Sequence, residues 1–201
     1  MFVRSLAIGV SAAALMVGGA QAADLIIPTT PQPVYTPAGF DWEGLYVGAR
    51  IGGAWVGEGN TYGSLVNTGT GNAGAFTLGA AAGVNFIPVD PFLLGVEVTG
   101  DYQWYDGVET AEFFANLRAG AVVTDNVMVY ALGGVGFQTG DGVDSEGIYQ
   151  LGGGVEVAVT DAITVRGELV GQGDFSDDVL GASGDAFFES AKATVGVFYH
   201  F

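Results

Sequence analysis

From Leu45 to the last residue the chain alternates, and the two faces it makes constrain the fold more than any other feature. Leu45, Val47, Ala49, Ile51, Gly53 and Trp55 share one parity; Tyr46, Gly48, Arg50, Gly52 and Ala54 share the other. A period of two is the strand signature, because successive side chains point to opposite sides of the backbone. Gly74, Phe76, Leu78, Ala80, Ala82, Val84 and Phe86 repeat the apolar face. Phe92, Leu94, Val96, Val98, Gly100, Tyr102 and Trp104 do so again, and then Phe113, Ala115, Leu117, Ala119, Ala121 and Val123. Further strands are predicted over about 127–138, 147–159, 163–172 and 187–201. In each, one face is apolar and nearly free of charge, with Glu189 the exception. The other face carries small residues and almost all the strand charges.

Two architectures accept such strands. In a soluble sandwich the apolar faces pack inward and the polar faces meet water. In a membrane barrel the apolar faces meet lipid and the polar faces line the interior. The basic residues favour the barrel. Beyond Arg4 the chain has only Arg50, Arg118, Arg166 and Lys192, and all four lie on the non-apolar strand face. A soluble protein spreads such residues over its exterior. An interior needs them only as partners for inward carboxylates, here Glu97, Asp101, Glu112, Glu156 and Glu168. Apolar-face aromatics also gather near strand ends (Trp55, Phe76, Phe86, Phe92, Tyr102, Trp104, Phe113, Phe137, Tyr149, Tyr199, Phe201), as interfacial girdles do. Finally, the connections alternate. Longer ones fall at about 56–72, 106–110, 139–146 and 173–186, and short ones at 87–91, 124–126 and 160–162. The expectation is an all-β, eight-stranded antiparallel up-and-down transmembrane β-barrel over 41–201.

Composition excludes several other classes. Five basic against 22 acidic residues, a formal charge of −17, argues against nucleic-acid binding, since phosphates are repelled. Cys 0 excludes a disulfide scaffold and cysteine-ligated metal. Thirteen Phe, eight Tyr and three Trp exclude a disordered acidic tail. Residues 1–22 read as a secretory signal peptide: Arg4, an apolar run from Leu6 to Val17, then Ala20-Gln21-Ala22. Residues 23–40, with Pro28, Pro31, Pro33 and Pro37, read as an extended N-terminal segment.

These features together resemble the small eight-stranded outer-membrane barrels of Gram-negative bacteria, above all the porin-family surface proteins of alphaproteobacteria. The resemblance rests on the signal and Pro-rich stretch, Asp41-Trp42-Glu43-Gly44-Leu45-Tyr46-Val47-Gly48 and Tyr130-Ala131-Leu132-Gly133-Gly134-Val135-Gly136. Gly152-Gly153-Gly154-Val155-Glu156, Arg166-Gly167-Glu168-Leu169 and the terminal Tyr199-His200-Phe201 complete it. It implies an outer-membrane location with both termini periplasmic, contact with lipid and lipopolysaccharide, and reading of Phe201 and Tyr199 by the barrel assembly machinery.

Eight strands enclose an interior that side chains can fill, so a plugged barrel is expected. Arg50, Glu97, Asp101, Glu112, Arg118, Glu156, Arg166, Glu168 and Lys192 are expected to pair inside it. If the 160–162 turn centres on Asp161, Glu156 faces Arg166; Glu97 and Arg118 are expected to meet on neighbouring strands. Gly48, Gly52, Gly79, Gly83 and other inward glycines leave volume that large side chains or water must occupy. Asp174, Asp177 and Asp178 form a candidate weak site for Ca²⁺ or Mg²⁺. No catalytic constellation or cofactor is expected, since the only histidine, His200, stands beside the last residue. The function expected is structural, in the cell envelope. A narrow diffusion channel for small cationic or neutral solutes, and a loop-mediated surface adhesin, are the alternatives; oligomeric state is left open.

Overall fold

The structure, a computed structural model, describes residues 39–56, 61–62, 66–67, 73–105, 108–140, 143–175 and 188–201. Eight of its strands close into one barrel: β1 (Gly44–Val56), β2 (Ala73–Val89), β3 (Phe92–Tyr105), β4 (Val108–Thr124), β5 (Val127–Gly140), β6 (Val143–Ala158), β7 (Ile163–Asp174) and β8 (Ser190–His200). Each pairs antiparallel with its neighbours in sequence, and β8 returns to pair with β1. No barrel strand is left as an open edge. A short ladder, Thr61–Tyr62 with Val66–Asn67, lies apart in the β1–β2 connection. The signal peptide and nearly all of the Pro-rich segment fall outside the described residues.

The alternation becomes an inside and an outside as predicted. Leu45, Val47, Ile51, Leu78, Val96, Leu117, Leu151, Leu169, Val195 and Val197 are exposed on the outer wall, Leu117 to 69%. Every one is apolar, so the outer wall is suited to hydrocarbon rather than water. Phe86, Phe92, Tyr199 and Phe201 ring one end of this belt. Trp55, Phe76, Tyr102, Trp104, Phe113 and Phe137 ring the other, with Phe76 against Trp104 and Phe113 against Phe137 across strands.

The two ends differ in their connections. At the turn end, β2–β3, β4–β5 and β6–β7 are joined by two to four residues. Thr160 organises the last of these: its Oγ1 accepts from the backbone N–H of Ile163 at 2.9 Å and of Ala162 at 3.3 Å. At the opposite, loop end, connections are uneven. The long ones expected at 56–72 and 173–186 fall mostly outside the described residues, and those expected at 106–110 and 139–146 are shortened by strand. β4 begins at Val108 and β6 at Val143, so Glu109, Asp144 and Glu146 lie in strands. Their acidity suggested solvent. Pairing extends past the apolar belt, and Glu109 stands opposite Trp104 with its Oε2 accepting from Tyr102 Oη at 2.5 Å.

Residues before β1 do not continue the sheet. Gly44 takes a positive φ of 106°, which a side chain would resist, and there the chain turns in under the barrel. Phe40 packs, half-buried, against the interior of the barrel. Trp42, only 2% exposed, packs in one cluster with Leu93, Met128, Tyr130, Leu132 and Val170. Near the loop end Val56, Tyr105, Phe114 and Ile148 form a second apolar cluster across the lumen.

Candidate functional site

Between these clusters the interior is charged. All nine predicted network residues point inward and are buried. They sort into two interlocked groups.

The group nearer the turn end centres on Glu156 of β6, at 0% exposure. Register places it opposite Arg166, as turn arithmetic predicted. Its Oε2 accepts from Arg166 Nε at 2.9 Å and Arg118 Nη2 at 3.0 Å. Its Oε1 accepts from Thr164 Oγ1 at 2.6 Å and lies 3.1 Å from His200 Nε2. Glu97 is the second carboxylate. Arg166 Nη1 donates to its Oε2, and Arg118 Nη1 stands 3.8 Å from the same oxygen. The expected Glu97–Arg118 approach is thus present, on the diagonal between β3 and β4 rather than directly opposite. Tyr46 completes the link: its Oη donates to Glu97 Oε2 at 2.8 Å and accepts from Arg118 Nη1 at 2.7 Å.

The second group lies nearer the loop end. Arg50 holds Asp101 through two donors, Nε at 2.8 Å and Nη2, and reaches Glu168 Oε1 through Nη1 at 3.0 Å. Two nitrogens of one planar guanidinium on one carboxylate fix orientation as well as charge. Asp101 and Glu112 face each other across β3 and β4, a like-charge pair that Lys192 resolves. Its Nζ lies 2.8 Å from both Asp101 Oδ2 and Glu112 Oε2. Gln172 Nε2 adds a donor to Glu112 at 3.1 Å. Tyr130 joins the groups: its Oη donates to Glu168 Oε2 at 2.7 Å while Arg118 lies 4.0 Å over its ring.

Sequence reasoning missed the aromatic members. Tyr46, Tyr130, Phe114 and Phe198 sit at inward parity, and that parity is the signal that would have found them. They also answer what fills the space beside the inward glycines. A Cβ on Gly83 would lie 2.4 Å from Tyr46 Oη, and one on Gly48 2.3 Å from the Phe198 ring. The rings lie flat on the wall where the wall has no side chains.

His200 is inward and buried, stacked on Tyr46 with ring centroids 5.3 Å apart. Tyr199 and Phe201 stand on the outer wall at the turn end, with rings 5.1 Å apart, and Phe201 N–H donates to Leu45 O, extending the closing ladder by one residue. Of the candidate cation ligands, Asp174 ends β7, while Asp177 and Asp178 lie outside the described residues. Among the described residues no group of three or more His, Asp or Glu is placed to hold a metal ion.

No family model and no curated protein matches the chain. Solved structures do. Neisserial surface protein A aligns with a TM-score of 0.52 at 13% identity, over 78% of this chain and 97% of that one. The N-terminal β-barrel domain of Pseudomonas aeruginosa OprF aligns with 0.51 at 13% identity, over 79% and 98%. The chain has the eight-stranded outer-membrane β-barrel fold. The outer membrane enzyme PagL also aligns, with 0.47 at 11% identity, over 78% and 99%.

Proposed function

We propose that this chain is an integral outer-membrane protein with a structural role in the envelope of a Gram-negative bacterium, of the alphaproteobacterial porin-family surface type. One observation carries the reading. Nine buried charges bridge six of the eight strands across the lumen, with an apolar cluster toward each end. An ion entering such a lumen must displace paired charges, and removing one partner of a buried pair is strongly unfavourable. Filled in this way, the barrel is a rigid body rather than a passage. Its outer wall contacts outer-membrane lipid and lipopolysaccharide, and its terminal Tyr199 and Phe201 serve the assembly machinery. Both termini lie on the periplasmic side, and the longer connections, acidic through Glu58, Asp106, Asp141, Asp177, Asp178 and Asp185, face outward.

The reading includes no catalytic step and no cofactor. His200 has Thr164 Oγ1 at 3.4 Å and Glu156 Oε1 at 3.1 Å, both at the same ring nitrogen, Nε2. A relay needs the nucleophile on one nitrogen and the orienting acid on the other. Asp174, Asp177 and Asp178 are proposed as one weak site for Ca²⁺ or Mg²⁺, and a calcium-dependent rise in melting temperature is its test.

The deciding experiment is conductance. The purified protein is expected to show heat-modifiable migration from an outer-membrane fraction and no discrete steps in planar bilayers. Regular steps would replace the structural reading with the narrow channel.

A further inference from the structure

Leu93 and Met128 are each the second residue of a strand at the turn end, where an open rim would expose them. Yet only 1% and 0% of their surfaces is exposed. Phe40 and Trp42 belong to the apolar cluster that covers them. The covering segment lies outside the sheet. It leaves the ladder at Gly44, at a backbone angle only glycine adopts freely, and few polar contacts hold it. Phe40 N–H donates to Asp125 O at 3.2 Å, Asn85 Nδ2 to Trp42 O at 3.2 Å, and Ile87 N–H to Glu43 Oε1 at 2.9 Å. The Trp42 indole N–H is buried with no acceptor among the described residues, which opposes the docked position. A polar cavity of about 370 Å³, lined by Gly39, Phe40, Asn126 and Thr160 among others, adjoins the segment.

One interior residue ties this segment to the charges. The His200 ring meets the Phe40 ring edge-on at 4.9 Å and the Trp42 ring at 6.1 Å, and stacks on Tyr46, while its Nε2 reaches Glu156.

We propose that residues 39–43 form a displaceable plug that seals the turn end of the barrel, with His200 as the positioning residue that latches it to the charged interior. Undocking at Gly44 uncovers Leu93, Met128 and the carboxylate of Glu156 to small water-soluble solutes from the turn side. The proposal rests on the closed-lumen reading. It differs from that reading in its test, since conductance of the unaltered chain bears on the lumen and thiol chemistry bears on the plug.

The chain has no cysteine, so introduced thiols report alone. A Cβ on Gly39 would lie 3.0 Å from Asp125 Cβ. In the full chain folded in micelles, Gly39→Cys/Asp125→Cys is expected to form a disulfide on mild oxidation. A folded barrel in which it does not form overturns the plug. Met128→Cys is expected to react with a charged methanethiosulfonate about 100-fold more slowly than a cysteine at the exposed Thr160, as buried groups react only through local opening. Adding Phe40→Ala/Trp42→Ala is expected to remove most of that difference; an unchanged rate overturns the proposal. Should that variant fail to fold, the disulfide measurement stands alone as the decision. His200→Phe keeps an aromatic ring but loses Glu156. It is expected to raise the Met128→Cys rate several-fold, and a rate equal to that of the parent refutes the latch.

Discussion

Arg166 is the most informative residue to remove. It donates to both Glu97 and Glu156 and lies 3.7 Å over the Phe198 ring. Among the described residues the buried interior holds five carboxylates against four permanent cations. Arg166→Met fills similar space without charge and leaves five against three, with Glu97 and Glu156 both dependent on Arg118. Breaking a buried pair by removing one partner costs roughly 3–5 kcal/mol, so a loss of about 4 kcal/mol is expected. With a urea dependence of about 2 kcal/mol per molar, the unfolding midpoint falls by about 2 M. Glu156→Gln is the control. It moves the count to four against four, and both arginines keep Glu97. Its cost is therefore set by altered hydrogen bonds and is expected to be about 1–3 kcal/mol. The double variant is expected to lose about 1–3 kcal/mol less than the sum of the singles, as coupled neighbours do. The assay is reversible urea unfolding in lipid vesicles, followed by tryptophan fluorescence and by gel mobility. Equal losses for Arg166→Met and Glu156→Gln, or strict additivity in the double variant, would refute the view that the interior acts as one charge-balanced unit.

Three further outcomes follow from the same contacts. Tyr130→Phe keeps the ring beneath Arg118 but loses the donor to Glu168, and the same unfolding assay is expected to register about 1.5–3 kcal/mol, typical of a hydrogen bond to a charged group. Gly83→Ala meets both Tyr46 and the backbone oxygen of Val96 within 2.7 Å and is expected to cost about 1–3 kcal/mol by overpacking, whereas Gly167→Ala, with nothing within 4 Å, is expected to leave the midpoint unchanged. Leu117→Arg puts a charge on the outer wall near mid-strand and is expected to weaken folding into vesicles by about 2–4 kcal/mol. A neutral result there would argue that this wall does not face lipid.

Parity carried most of what could be read in advance. Because a strand has only two sides, one misplaced residue would have turned a whole strand inside out, and within the eight described strands none was; Phe188, of inward parity in the strand predicted over 187–201, precedes β8 and is exposed beside Gly171 instead. The same parity put Arg50, Arg118, Arg166 and Lys192 in the lumen, and turn symmetry about Asp161 paired Glu156 with Arg166. What stayed hidden was everything parity does not encode. Ending each strand where the apolar alternation stopped left Glu109 and Glu146 in connections, although ladder pairing tolerates a polar residue once a strand leaves the apolar belt. The tilt of the strands brings Lys192 of β8 to Asp101 and Glu112 on β3 and β4, residues 80 or more positions away in the chain. No local pattern reports that. Phe40 and Trp42 were invisible for a different reason. They precede the first strand, and only the closed rim above them gives their rings a place to go.

The glycines, the rings and the charges are parts of one arrangement. An eight-stranded lumen is narrow, and a ring that stood upright in it would occupy the axis. Glycine at the wall lets the ring lie flat instead: Tyr46 along Gly83, Tyr130 along Gly154, Phe198 along Gly48 and Gly196. A flat ring then turns its face to the axis, where a cation is favoured. Arg118 takes the face of Tyr130 and Arg166 that of Phe198. With one side of each guanidinium resting on a ring, its edge is free to donate in plane to Glu97 and Glu156. The phenols supply the remaining donors to Glu97 and Glu168. A side chain on the wall would therefore disturb a carboxylate it never touches, through the ring and the arginine between them. Glycine at positions 48, 83, 154 and 196 is in this sense a requirement of the charge network.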